Sequence, residues 1–176
     1  MAAGYAISEA VALSCRQPLL PDHYHGEVET RPLAGAADWE AAIALQVMCR
    51  DMAHAEQDYQ HFKRAQFANY QRMVKAACGH RYGAWLNGML VAELGIFVGE
   101  GGLARYQNVC THPAWRRQGI AARLVYESGH HAIARLGAST LVIVANEAGP
   151  QRLYRSMGFM PAGTAFSAEK MPPQMQ

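Results

Sequence analysis

The segment Arg116-Arg117-Gln118-Gly119-Ile120-Ala121 is the part of this chain best equipped for chemistry. It lies between an apolar run ending at Thr111 and a long amphipathic run, the pattern of a strand-to-helix turn. The first amides of a helix have no internal partners and point out of its N-terminus. The macrodipole adds roughly half a positive charge at the same end. Gly119 and Ala121 carry little or no side chain, so a bulky anion can approach the backbone closely. Arg116 and Arg117 supply charge-assisted donors. Together these make a pyrophosphate cradle. The bare pattern also fits an ordinary strand-to-helix connection with surface arginines, so the surrounding elements have to decide.

Those elements can be read in order. Gly26 to Leu33 alternates as a first strand. Trp39, Ile43 and Val47 give a helix over 35–50, and Tyr59, Phe62, Tyr70, Met73 and Cys78 a second helical region over 51–78, with the aromatic stripe turned to the core or, as the alternative, lining an acceptor pocket at one end. Tyr82 to Leu86, the Asn87-Gly88 pair and Met89 to Val98 form a hairpin with a type I′ turn. A turn at 99–102 and a strand over 103–111 complete three consecutive antiparallel strands. A helix over 117–136 stops at Gly137. Thr140 to Ala145 is a short β-branched run expected to be buried on both faces. A helix over 150–157 and a last strand over 159–166 close the pattern. The fold class is therefore α/β with a mixed sheet, an antiparallel meander followed by a parallel βαβ unit. Residues 1–25 read as an unassigned N-terminal arm, 26–170 as one domain and 171–176 as a frayed tail.

In this context the sequence resembles the GNAT superfamily of N-acetyltransferases. Its acyl-CoA signature, Arg/Gln-x-x-Gly-x-Gly/Ala, is matched by Arg116, Gly119 and Ala121. The lead-in Val109 to Pro113 is similar to that family's fourth strand, and Asn146 with Tyr154-Arg-Ser-Met-Gly-Phe159 is similar to its second motif. The resemblance implies a GNAT-like acyl-CoA N-acyltransferase fold over roughly residues 26–168, with acetyl-CoA as cosubstrate and no metal. It implies that backbone groups of Val109, Cys110 and Thr111 pair with the pantetheine arm as an added strand. Arg116, Arg117, Gln118, Gly119, Ile120, Ala121 and Ala122 would hold the pyrophosphate, Asn146 would bond a pantetheine amide, and Gln151 belongs to the same binding set. Tyr154 would sit near the sulfur.

The reaction implied is direct attack of a primary amine on the thioester. A backbone N–H near Val109 and Cys110 could hold the oxyanion. A phenol with an unperturbed pKa near ~10 is protonated at neutral pH, so Tyr154 can protonate the leaving thiolate. The proton acceptor stays open. Some relatives use a Glu early in the fourth strand, where this chain has Arg105-Tyr106-Gln107. Glu93, in the apolar run 91–98, is the replacement candidate; a surface-facing Glu93 and a water relay are the alternatives. Cys110 as an acyl-carrying nucleophile would need His112 as its base. A non-catalytic acyl-CoA-binding or sensing domain is the second function reading. A dinucleotide-binding βαβ protein is the third, and it expects an acid about 20 residues past the glycine turn, where Leu136 to Ala145 has none.

Composition limits the partners. The chain has 176 residues, a net charge of +2 and 17% charged residues, an ordinary globular balance without the basic excess of a nucleic-acid binder. No apolar run approaches the ~20 residues of a membrane span, and no signal peptide is visible, so a cytoplasmic location is expected. Cys15, Cys49, Cys78 and Cys110 are scattered and read as free thiols. The adjacent His130 and His131 point about 100° apart on a helix and make poor joint metal ligands. The acceptor is expected to be a small-molecule or peptide amine, received by Asp51, Glu56, Asp58, Tyr59 and Tyr70, which read equally as a solvated helix face. A homodimer is compatible with the size of the chain, with residues 1–25 as the candidate interface.

Overall fold

The computed structural model describes residues 5–170. Its elements are β1 Tyr5–Cys15, β2 Glu29–Pro32, α1 Gly35–Met48, α2 Glu56–Lys75, β3 Gly79–Leu86, β4 Met89–Val98, β5 Leu103–Thr111, α3 Ile120–Arg135, β6 Thr140–Ala145, α4 Ala148–Ser156 and β7 Met160–Lys170. The strands form one mixed sheet in the order β2-β3-β4-β5-β6-β1-β7. The meander β3-β4-β5 is antiparallel, and β5-α3-β6 is the parallel βαβ unit. Asn87 and Gly88 both have positive φ, 50° and 77°, as a type I′ turn requires.

Strand alternation divides the core in two. On β4, Leu94 and Ile96 join the apolar cluster built on α3, and Phe97 joins the one under α1 and α2. Successive strand residues point to opposite faces, so the two helical layers cover opposite sides of the sheet. Ile120, Leu124, Val125 and Ala132 of α3 are buried, as their spacing predicts.

Three expectations change. The arm over residues 1–25 is, from Tyr5 to Cys15, an interior strand: β1 pairs antiparallel with β6 on one side and β7 on the other. Ala and Ser, poor strand formers, are interspersed with Ile7, Val11 and Leu13, a weak strand signal, and both partners are far away in sequence. On α2 the buried positions are Lys63, Phe67 and Tyr70, while Phe62 is 54% exposed and Met73 is exposed. A helix lying on one sheet face buries a narrow stripe, and here it passes through Phe67. Finally, β6 buries only Leu141, Ile143 and Ala145; the alternate positions are half-buried. The tail over 171–176 lies outside the described residues.

Candidate active site

Between β5 and β6 the sheet opens. The two strands pair only where Leu103, Ala104 and Arg105 face Thr140, Leu141 and Val142. β5 continues to Thr111 and β6 to Ala145 without pairing to each other, because β6 stays registered on β1. A β-bulge opposite Leu94 sets the alternation of β5: Cys110 faces Glu93, but Gln107 faces Gly95, and Asn108 takes a positive φ of 49°. The His112 amide donates to Val91 O at 2.8 Å. By alternation the backbone of Cys110 also points to β4, whereas Val109 and Thr111 direct theirs into the opening. Cys110 thus drops out as a backbone donor to a ligand. Its thiol is buried and donates to Leu45 O of α1 at 3.9 Å.

The N-terminus of α3 stands at the mouth of this opening. The Arg123 amide, donating to Gly119 O at 3.1 Å, is the first to join the helical ladder, and no side chain caps the helix. The amides from Gln118 to Ala122 therefore remain available to a ligand, as the cradle demands. Gly119 also lies against another part of the chain. It sits in the left-handed region with φ 77°, and a Cβ there would meet Tyr24 Cα at 2.4 Å. The chain's own β1–β2 connection, not an anion, fills the space beside Gly119. Arg116 is exposed and bends back, its Nε donating to Thr111 O at 3.1 Å. Arg117 is exposed with φ 64°, and Gln118 Nε2 donates to Ala114 O at 3.4 Å.

Asn146 is exposed just past β6. Gln151 donates through Nε2 to Ala145 O at 3.1 Å and so fixes the end of β6 to α4. Tyr154 is buried on α4. Its ring and that of Tyr106, the first β5 residue past the paired segment, each lie 6.1 Å from Phe159. Burial pushes the Tyr154 phenol up to about 12, so it keeps its proton at neutral pH.

Glu93 does not meet its expectation. Both it and Arg81 are fully buried and ion-paired, with Arg81 Nε donating to Glu93 Oε2 at 3.0 Å. Gln46 Nε2 occupies the other carboxylate oxygen. The Arg81 guanidinium also lies over the rings of Phe67 at 4.4 Å and Tyr70 at 4.6 Å. Held on both oxygens and shut from solvent, this carboxylate cannot receive a substrate's proton.

A polar cluster around the β5 bulge escaped the sequence reading. Gln46 Nε2 also donates to Asn108 O at 3.1 Å. Asn108 Nδ2 donates to Gln66 Oε1 at 3.1 Å and to the Tyr70 hydroxyl at 3.3 Å. Lys63, only 4% exposed, donates from Nζ to the same Gln66 Oε1 at 3.0 Å. Burial is the main reason its pKa is lowered. Of the expected acceptor residues, Tyr70 reaches this cluster, while Asp51, Glu56 and Asp58 are exposed. A buried amine in the middle of a charged helix reads in sequence as one more surface lysine, and the only available signal was its place four residues before Phe67. Among the described residues no group of three or more His, Cys, Asp or Glu could hold a metal ion, and no helix is long and apolar enough to cross a membrane.

The sheet is thus open and mixed, split between two parallel strands, with an uncapped helix N-terminus at the split. Residues 78–161 match the family model of the acetyltransferase (GNAT) domain. Solved structures share the fold. A GCN5-related N-acetyltransferase from Kribbella flavida superposes with TM-score 0.68 at 22% identity, covering 94% of this chain and 59% of that one. One from Ralstonia eutropha has TM-score 0.61 at 20% identity, covering 77% and 94%. A GNAT family acetyltransferase from Brucella melitensis in complex with acetyl-CoA has TM-score 0.58 at 18% identity, covering 86% and 93%. The chain spans 59% of the Kribbella protein and 63% of a similar protein from Staphylococcus epidermidis. No curated protein matches the sequence.

Proposed function

We propose that the protein transfers an acetyl group from acetyl-CoA to a primary amine of a small molecule or peptide. The observation that carries this reading is the split between β5 and β6, with free amides of α3 at its mouth. In this reading the diphosphate rests on the amides from Gln118 to Ala122, assisted by Arg117, and the pantetheine arm lies along the β5 edge at Val109 and Thr111. Asn146 faces the arm from the β6 side. The acetyl-CoA complex of the Brucella protein, which shares the fold, supports this choice of cosubstrate.

The incoming amine enters from the α1–α2 side, at the bulge. Its lone pair attacks the thioester carbonyl carbon, and the Val109 amide receives the developing oxyanion. The C–S bond then breaks, and Tyr154, held protonated by burial, gives its proton to the leaving sulfur. Lys63 takes the place expected of Glu93 as proton acceptor. It is a buried amine hydrogen-bonded to the Gln66 oxygen that also holds Asn108, and its pKa is lowered, chiefly by burial. Residues 5–15 belong to this domain as an interior strand.

Calorimetric titration with acetyl-CoA, followed by thiol release over a panel of amines, tests the reading. Binding with amine-dependent CoA release is expected. Binding with no release over the whole panel would leave the acyl-CoA-binding alternative, and no binding at all would overturn both.

A further inference from the structure

Cys49 and Cys110 lie far apart in sequence, and the fold brings their thiols together. Cys49 follows the last turn of α1, and Cys110 sits on β5 beneath it. Cys110 Sγ donates to Leu45 O at 3.9 Å and the Cys49 amide donates to that same oxygen at 3.0 Å, so the two cysteines meet at one carbonyl. Cys49 Sγ donates to Thr111 O at 3.4 Å, and Arg116 Nε donates to that same oxygen at 3.1 Å. A guanidinium therefore stands beside the Cys49 thiol. Cys49 is half-buried and Cys110 is buried.

These are the conditions that make one thiol of a pair an attacking group and the other its resolving partner. The thiolate is the reactive form, and hydrogen bonds with a nearby cation favour it. The Cys110 and Arg116 side chains lower the Cys49 thiol to about 7, while the neighbouring Cys49 thiol and then burial raise Cys110 well beyond the usual thiol range. The remaining cysteines lack this arrangement. Burial pushes Cys15 up to about 11, and Cys78 hydrogen-bonds only weakly, to Ala76 O at 3.6 Å.

We infer that Cys49 and Cys110 form an oxidation site for peroxides, in which Cys49 reacts first and Cys110 closes a disulfide between α1 and β5. The Cys49 thiolate attacks the peroxide O–O bond, giving a sulfenic acid and releasing an alkoxide or hydroxide, which is protonated from water. Cys110 sulfur then attacks the Cys49 sulfur. The S–O bond breaks, and the departing hydroxide leaves as water with the Cys110 proton. Two thiols are oxidised by two electrons and one peroxide is reduced. The disulfide would take the Cys49 sulfur away from Thr111 O, on the edge proposed for the cosubstrate, but the oxidation site itself does not depend on that proposal.

The test is hydrogen peroxide added in small excess to the reduced full chain, followed by intact mass and non-reducing peptide mapping. The expected product has lost two hydrogens, links the Cys49 and Cys110 peptides, and returns to the starting mass with dithiothreitol. Cys15 and Cys78 should stay reduced and serve as internal standards. In Cys110→Ala, dimedone should trap a sulfenic acid at Cys49 in place of the disulfide. In Cys49→Ser, a change at a half-buried position, peroxide should leave Cys110 untouched. Oxidation of Cys15 or Cys78 as fast as Cys49, or oxidation of Cys49 in the wild-type chain without a link to Cys110, would overturn the inference. Because the wild-type map answers the question by itself, a poorly folding Cys110→Ala leaves it decidable.

Discussion

Arg81 Nε donates to Glu93 Oε2 at 3.0 Å, and neither side chain is open to solvent. Two charges are thus locked together in the layer between the sheet and α2, and the acid that an apolar strand run offered for proton transfer is occupied in holding the fold. Removing one member of a buried pair leaves the other uncompensated, which costs about 3–5 kcal/mol. Arg81→Met should therefore lower the stability of the domain by that amount in urea unfolding, and Glu93→Gln should be comparably damaging. The double substitution Arg81→Met, Glu93→Gln should recover part of the loss. An enzyme that stays fully stable with Glu93→Gln yet loses all turnover would restore Glu93 to catalysis.

Lys63 gives the opposite sign. Its pKa in the folded protein is lowered, chiefly by burial, so the unfolded chain binds more protons and this group contributes stability at high pH that is lost as pH falls through the folded value. Lys63→Met should stabilise the protein at pH 7 by roughly 1 kcal/mol, the scale of relieving a poorly compensated buried polar group. The gain should shrink as pH approaches the unfolded lysine value near ~10.4. If Lys63 accepts the substrate proton, the same variant should lose most of its turnover while gaining stability, and Lys63→Arg should not rescue it. Stability and rate falling together would assign Lys63 a structural part only.

For Tyr154 the expectation concerns rate. Tyr154→Phe removes the hydroxyl and keeps the ring against Phe159, so acetyl-CoA affinity by calorimetry should hold while kcat falls about 10²–10⁴-fold, the usual contribution of a positioned acid. Because burial pushes the phenol up to about 12, the wild-type rate should show no decline from loss of this proton below pH 10. An alkaline limb centred near pH 8 would need a different acid.

Gly119→Ala should fail for reasons internal to the chain. The new Cβ would meet Tyr24 Cα at 2.4 Å, and φ is 77°, so strain and a backbone clash act together. A loss of about 1–3 kcal/mol is expected, along with weaker acetyl-CoA binding as the turn shifts. Thermal unfolding and titration of the same sample would show the two losses together.

Much of this was legible from local pattern. The Asn87-Gly88 turn, the β-branched run Thr140 to Ala145, and the step from β5 into α3 each carry their own instructions within a few residues. What was not legible depends on distance. β1 is a strand of Ala and Ser whose pairing comes from β6 and β7. Glu93 looked free because Arg81 reaches it only once β3 and β4 are in register. Cys49 and Cys110 looked scattered because the end of α1 has to settle on β5 before they meet. Tyr24 could not be seen as the reason for glycine at 119 until the β1–β2 connection was traced across α3.

The position of β1 also has a bearing on assembly. Val11 pairs with Ala145 on one side and Thr164 on the other, so β7 reaches the sheet only through β1. During synthesis β1 must wait unpaired until β6 and β7 have been made. The meander and its two helices can form beforehand, but the β6 side of the opening is completed after them, and contacts of such long sequence separation are expected to slow that step.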